Sequence, residues 1–290
     1  MRVAVIGATG QLGMDLSRVF TQHDDQVCPL SHSEIELSSV QSVTDCLNRV
    51  APSIVVNTAA MHHVENCECD PENAFRVNAL GSRNLALATR DLSALLVHIS
   101  TDYVFDGNLR RPYVEDDAPL PLNVYGNSKL AGEYFVRSIN PKHFVLRTSA
   151  LYGSNPCRAK GGRNFVELMM KLGRERGFVR VVNDEFVSPT STLQLATQVR
   201  MLCDSGEYGL YHATAEGSCS WYEFAKEILA QSEINADVQA ADPNEFPAKV
   251  PRPKYSVLEN RGLKRLGLNV FRTWQVGLHE YLSASCTLVS

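Results

Sequence analysis

The chain has 290 residues, more than the roughly 100 to 200 of an ordinary single domain, which allows one large α/β unit or a full domain with a smaller partner. Apolar residues make up 44%, enough for a substantial core, while 28 basic residues against 32 acidic ones leave a net charge of −4. That is the wrong sign for gripping a phosphate backbone, so nucleic acid is not expected as a partner. No apolar run approaches the roughly 18 residues of a membrane span, and the opening MRVAVIG reaches glycine too soon for a leader segment; neither membrane nor secretion is expected.

In chain order, Arg2 to Ile6, Gln26 to Leu30, Ile54 to Asn57, Leu95 to Ser100 and His143 to Arg147 read as strands. Leu12 to Phe20, Val40 to Val50, Asn73 to Thr89 and Ser128 to Ser138 carry apolar residues at helical spacing between them. The alternation is βαβ, and runs such as VAVI and LLVHIS are apolar throughout, as parallel strands covered on both faces require. The pattern predicts a doubly wound parallel sheet. Past Tyr152 come a Gly/basic loop, a helix from Phe165, a strand near Val179 to Val182 and a helix from Thr192. The expected fold class is α/β, a Rossmann unit over 1–153 to which 179–205 returns, with a smaller C-terminal substrate-binding α/β subdomain from 154–178 and 206–290.

Cysteines 28, 46, 67, 69, 157, 203, 219 and 286 are scattered, with one C-x-C and no C-x-x-C pair. No metal site or disulfide framework is expected from such spacing, and reduced thiols in a cytoplasmic protein are. The pair Cys67 and Cys69 reads as a loop.

Gly7-Ala8-Thr9-Gly10-Gln11-Leu12-Gly13 follows the first strand and opens the first helix. Glycines let the backbone approach a dinucleotide pyrophosphate, and the helix N-terminus offers unpaired N–H groups and partial positive charge. The second strand ends at Leu30-Ser31-His32-Ser33-Glu34. An acid at Ser31 would hold a ribose 2′-hydroxyl, and its absence leans toward NADP(H) while leaving NAD(H) open. Glu36 is either an adenine-side contact or a solvated acid.

Tyr125 and Lys129 stand four residues apart and share one helical face. Reduction of a ketone requires a proton for the developing oxyanion, and positive charge beside a phenol suits it to that exchange. Thr101, at the carboxyl end of the fourth strand where parallel sheets present ligands, adds a hydroxyl for the substrate oxygen.

With these motifs together, the chain resembles the extended short-chain dehydrogenase/reductases, and within them the dTDP-4-dehydrorhamnose reductase family. The resemblance runs nearly end to end, through GATGQLG, STDYVFDG (100–107), PLNVYGNSKLAGE (121–133), RTSALYG (147–153), NDEFVSPT and GLYHATAEGSCSWYEFAKEI. It implies Thr101, Tyr125 and Lys129 as the catalytic triad, with Lys129 also holding the nicotinamide ribose. Along the cofactor it implies Gly10, Gln11, Leu12, Glu36, Leu37, Ala60, Met61 and His62, and on the substrate Thr101 and Asp102. Asn78 matches a helix Asn that supports a proton relay to the lysine; capping of buried backbone is the other reading.

Two positions depart from the family: an acid is common where Ser31 stands, and an aromatic, usually Trp, where Ala150 stands over the sugar or base. Arg252, stiffened between Pro251 and Pro253, is a candidate for the substrate diphosphate. The loop Cys157 to Arg163, with Arg158 and Lys160, is either a second diphosphate clamp or a solvated turn. The implied activity is NAD(P)H-dependent reduction of the C4 ketone of a nucleotide-linked 4-keto-6-deoxysugar, most simply dTDP-4-dehydro-L-rhamnose, by a chain that admits a homodimer. The alternative is a non-catalytic NADP-binding regulatory subunit; such relatives commonly lose the Thr-Asp-Tyr segment, which is complete at Thr101 to Tyr103.

Overall fold

A computed structural model describes residues 1–155, 162–242, 245 and 249–286. Its first half alternates β1 (Arg2–Ile6), α1 (Gln11–Gln22), β2 (Gln26–Leu30), α2 (Val40–Val50) and β3 (Ile54–Asn57). Two short helices follow, α3 (Val64–Cys69) and α4 (Pro71–Phe75), then a π turn (Arg76–Leu80), α5 (Gly81–Asp91), β4 (Leu95–Thr101) and a 3-10 turn (Asp102–Val104). Next come α6 (Val124–Ile139), β5 (His143–Thr148), β6 (Leu151–Tyr152), α7 (Phe165–Arg176), β7 (Phe178–Val181), β8 (Phe186–Val187), β9 (Thr190–Ser191) and α8 (Thr192–Ser205). The chain ends with β10 (Gly209–His212), β11 (Cys219–Ser220), α9 (Trp221–Gln231), β12 (Asp237–Ala240), α10 (Arg261–Arg265) and α11 (Trp274–Cys286).

Six strands form a parallel sheet in the order β10-β5-β4-β3-β1-β2. Side chains alternate across it. Val3 and Val5 face α1 and α8 in a core with Leu16, Phe20, Leu195 and Val199. Ala4 and Ile6 face the opposite core with Val43, Leu47, Leu85 and Leu96. Burying both faces is why these strands read as unbroken apolar runs, each fully buried Val or Leu contributing roughly 1.5–3 kcal/mol.

A third core gathers Val166, Phe224, Ile228, Trp274 and Leu278 from α7, α9 and α11 around Tyr152. The expected boundaries differ from the observed packing at two strands. The segment from Val179, expected to return to the large sheet, pairs as β7 with β12; β10, expected in the smaller region, is the edge strand beside β5. Only α8 of the returning segment packs on the large sheet. Both strands are short and lack a distinguishing pattern of their own.

The strand order reverses at β1, with β2 on one side and β3 on the other, which leaves a crevice beyond their carboxyl ends. The glycine loop and the loop after β3 both open there.

Candidate active site

Gly13 is buried where an added Cβ would lie 2.2 Å from the Gly7 carbonyl oxygen; only glycine lets α1 turn so closely back on β1. Gly10 takes the N-cap position of α1, and no side chain caps that end and no acid stands in its first turn. An uncapped helix start with its N–H groups aimed into a sheet crevice fits a pyrophosphate. The residues therefore fit a nicotinamide dinucleotide, with Gly7, Gly10 and the first-turn backbone of Gln11, Leu12 and Gly13 as its phosphate cradle. The Gln11 side chain is engaged elsewhere, donating to the carbonyls of Gly153 and Asn155, both 3.0 Å away.

At the tip of β2, Ser31 is not bare. Its backbone N–H donates to the Glu34 carboxylate at 2.6 Å, its hydroxyl bonds the same carboxylate, and the Ser33 hydroxyl lies 2.7 Å off. These contacts hold the Glu34 carboxyl below its usual range. Sequence spacing placed no acid here because the acid arrives from three residues downstream through a turn. The Glu36 carboxylate accepts from the Ser38 backbone and hydroxyl at 2.9 and 2.7 Å, and Leu37 is buried against α5, its carbonyl taking a 2.9 Å bond from Asn84.

The loop Ala60-Met61-His62 leaves β3 on a fixed path. Asn78, in the π turn, accepts from the Met61 N–H at 2.8 Å and donates to the Met61 carbonyl and the Ser128 hydroxyl, each at 2.9 Å. Its amide is thus fully used in capping backbone and joining this loop to α6, and its own carbonyl accepts from Ser82 at 2.7 Å. Cys67 likewise donates to Met61, 3.2 Å away, with burial pushing its thiol up to about 11. His62 is exposed. Among the described residues no cluster of ligating side chains forms a metal site; Cys67 and Cys69, read as a loop, end the short helix α3, Cys69 facing solvent and Cys67 buried.

Tyr125 and Lys129 sit in the first turns of α6. Asn123 caps that helix by accepting from Gly126 N–H at 2.9 Å, and Glu68 accepts from Val124 N–H at 3.1 Å. A Cβ on Gly126 would meet the Tyr103 carbonyl at 2.2 Å, so glycine here lets α6 press against the 3-10 turn and brings Tyr125 onto the end of β4. The Thr101 hydroxyl hydrogen-bonds the Tyr125 phenol, yet burial dominates and holds that phenol above its ordinary value. The ring of Tyr103 meets that of Tyr125 edge-on, centroids 5.9 Å apart. Lys129 is 2% exposed, donates to the Ile99 carbonyl at 2.7 Å, and is pushed down by burial to about 8.

Asp102 lies inward of these groups. One carboxylate oxygen accepts from Ser149 at 2.8 Å and Ser256 at 2.5 Å, and the other from Thr101 at 3.1 Å. Burial raises its pKa against those three bonds. The residue expected to touch substrate thus ties β4 to the end of β5 and to the C-terminal segment. Ala150 follows Ser149 with φ +45°, a left-handed conformation uncommon for a residue with a Cβ. Arg252 extends to Glu65 of α3, Nη2 to Oε1 2.5 Å, and faces Tyr103 and Glu185; Asn123 holds its segment by donating to Pro251 O at 2.9 Å. In the basic loop Arg163 is exposed, and Cys157, Arg158 and Lys160 lie outside the described residues.

Sequence reasoning assigns Glu65 and His98 no part, and names Tyr103 and Glu34 only within longer segments without a role of their own. Tyr103 stood in STDYVFDG; nothing local marked the others.

Comparison with known proteins agrees with this geometry. The family described as RmlD substrate binding domain matches residues 1–286. The spore coat polysaccharide biosynthesis protein SpsK of Bacillus subtilis is 39% identical, over 98% of this chain and 99% of its own. The dTDP-4-dehydrorhamnose reductase of Escherichia coli is 33% identical over 98% and 97%. A Bacillus anthracis dTDP-4-dehydrorhamnose reductase solved in complex with NADP superposes with a TM-score of 0.93 at 36% identity, covering 98% of this chain and 99% of that one. An uncapped glycine cradle at the sheet's switch point, the Thr101-Tyr125-Lys129 cluster at its carboxyl edge and these end-to-end likenesses together make the chain a member of the RmlD substrate binding domain family.

Proposed function

We propose that the protein is an NAD(P)H-dependent oxidoreductase that reduces the C4 ketone of dTDP-4-dehydro-L-rhamnose to give dTDP-L-rhamnose. The observation that carries this reading is the Thr101–Tyr125 hydrogen bond at the end of β4, with Lys129 one turn on along α6 and bonded to Ile99 of the same strand, in a chain alignable end to end with reductases named for that reaction. The glycine cradle holds the dinucleotide phosphates, and the bound nicotinamide supplies the hydride. Tyr125, neutral near pH 7 because burial holds its proton, delivers that proton to the C4 oxygen. Thr101 holds the same oxygen by turning toward it the single hydroxyl proton that Asp102 accepts in the structure. Lys129 places positive charge beneath the phenol as it becomes phenolate. Arg252 meets the diphosphate, and the core around Tyr152, Phe224 and Trp274 backs the sugar-side wall.

The free thiols among the described cysteines agree with a cytoplasmic setting, which cell fractionation tests. No helix among the described residues is long and apolar enough to cross a membrane. A homodimer belongs to the same reading and is decided by sedimentation equilibrium. The defining experiment incubates the full chain with dTDP-4-dehydro-L-rhamnose and NADPH or NADH. Oxidation of cofactor with formation of dTDP-L-rhamnose is expected; cofactor binding without turnover would support a regulatory subunit.

A further inference from the structure

Beneath the catalytic lysine lies a buried polar chain that the reaction scheme above does not use. His98, on β4, is 1% exposed. Its Nε2 lies 3.3 Å from Lys129 Nζ and its Nδ1 3.3 Å from Asn57 Nδ2 at the end of β3. A neutral imidazole has one N–H and one acceptor nitrogen, so the two contacts are not independent. Asn57 is oriented by its other end, because Oδ1 accepts from the Ala59 N–H at 3.1 Å. Its NH2 therefore faces His98 and donates, which makes Nδ1 the acceptor and puts the ring proton on Nε2. That proton points at Lys129 Nζ. An ammonium has no lone pair to receive it, whereas a neutral amine does.

We propose that Asn57 and His98 are positioning residues that lock one imidazole tautomer against Lys129 and thereby favour its neutral amine, setting the upper pH limit at which the lysine is charged. Lys129 in its neutral form accepts from His98 Nε2–H while still donating to the Ile99 carbonyl; on protonation it gives up the first bond and keeps the second. Burial holds His98 well below the usual imidazole range, so the ring stays neutral and does not itself take the proton. Glu133, one turn along α6, pulls the other way, but its carboxylate is shared with Arg147 of β5 and Ser100. Cys67 of α3, Asp102 and Tyr103 of the 3-10 turn and Tyr125 of α6 are the other titratable groups on the inner side of that helix; Glu68 of α3 is exposed at the N-terminus of α6, and α4, the π turn and α5 carry theirs on or toward the surface.

The importance of the lock to turnover rests on the catalytic reading of Lys129, but the lock itself is measurable without turnover. Full-length protein labelled with 15N-histidine, with the His98 signals assigned by their loss in His98→Phe, is expected to show protonated Nε2 and bare Nδ1. Lysine 13Cε shifts followed against pH, assigned with Lys129→Met, give the Lys129 midpoint. His98→Phe is expected to raise that midpoint by on the order of one pH unit. A fall would mean that His98 accepts from the ammonium, and no change that it only packs; either overturns the proposal, as does a wild-type ring protonated on Nδ1. Should His98→Phe not fold, Asn57→Asp decides: it is expected to invert the tautomer to Nδ1–H and raise the midpoint, and retention of Nε2–H overturns the lock. If the lock is found and Lys129→Met still turns over, the catalytic reading fails and the lock stands.

Discussion

Glu34 lays its carboxylate on the backbone N–H of Ser31, 2.6 Å away, at the tip of β2. Negative charge therefore stands at the tip of β2 although residue 31 itself is uncharged, and if the adenosine ribose of the cofactor binds there a 2′-phosphate would meet it. Glu34→Gln should raise the ratio of kcat/KM for NADPH over that for NADH several-fold, and the wild-type ratio should rise with salt because this carboxylate is exposed and screened. A ratio indifferent to both changes would place Ser31 and Glu34 away from the ribose.

Tyr125→Phe removes the proton donor while leaving the glycine cradle untouched. Turnover should fall by about 10² to 10⁴, with the Kd for cofactor, read by fluorescence titration, within about twofold of wild type. Retention of more than a tenth of the rate would assign the proton to another group.

Burial of Lys129 brings its pKa down to about 8. If its charge supports the phenolate, kcat/KM should decline on the alkaline side with a midpoint near 8 instead of near the ordinary lysine value of about 10.4. The sign for stability is the reverse. Below 8 both folded and unfolded chains hold the proton and folding bears the cost of a buried charge; between 8 and the unfolded value only the unfolded chain holds it, so this group's contribution improves as pH rises. A midpoint close to 10 in the rate profile would show that Lys129 is not the titrating group.

Glu65 occupies Arg252 through a 2.5 Å contact. If Arg252 receives the substrate diphosphate, it must loosen that contact, so Glu65→Gln should lower KM for the dTDP-sugar and Arg252→Ala should raise it by about tenfold or more, with kcat much less affected. Equal effects of the two variants in the same direction would make the pair a structural tie.

Glu133 and Arg147 are 0% and 2% exposed in their side chains and bonded at 2.7 Å. Glu133→Ala strands the guanidinium in the core and should cost about 3–5 kcal/mol in urea unfolding. A loss below about 1 kcal/mol would show that solvent reaches Arg147.

The strands at 2–6 and 54–57 were legible to the residue, and β4 and β5 run one residue further than expected, because burial on both faces writes itself into an apolar run; the edge strand at 26–30, largely exposed, was marked instead by its place in the βαβ alternation. The helix expected over 73–89 is instead α4, a π turn and α5. The extra residue in that turn carries Asn78 onto Met61 and Ser128, a tertiary demand with no trace in apolar spacing. Likewise α6 begins at Val124, earlier than the Ser128 its apolar period suggested, because Asn123 caps it. The placement of Thr101 at a strand end and of Tyr125 and Lys129 on one helix was readable from the apolar runs and the helical spacing. The Glu34 turn, the Asn57-His98-Lys129 chain and the left-handed Ala150 were not, since each depends on side chains meeting across elements or on a backbone angle.

The chain passes back and forth between its cores. It leaves the large sheet after β5 to build β6, α7 and β7, returns for α8 and β10, departs again through α9 and β12, sends Leu263 and Phe271 back under the large sheet, and finishes with α11 in the smaller core. No single cut of the backbone yields two self-sufficient pieces. The dinucleotide crevice and the wall expected to face the sugar are interlaced like the two halves of a zip, so neither can melt, be exchanged for a relative's counterpart or evolve at its own pace without dragging the other along.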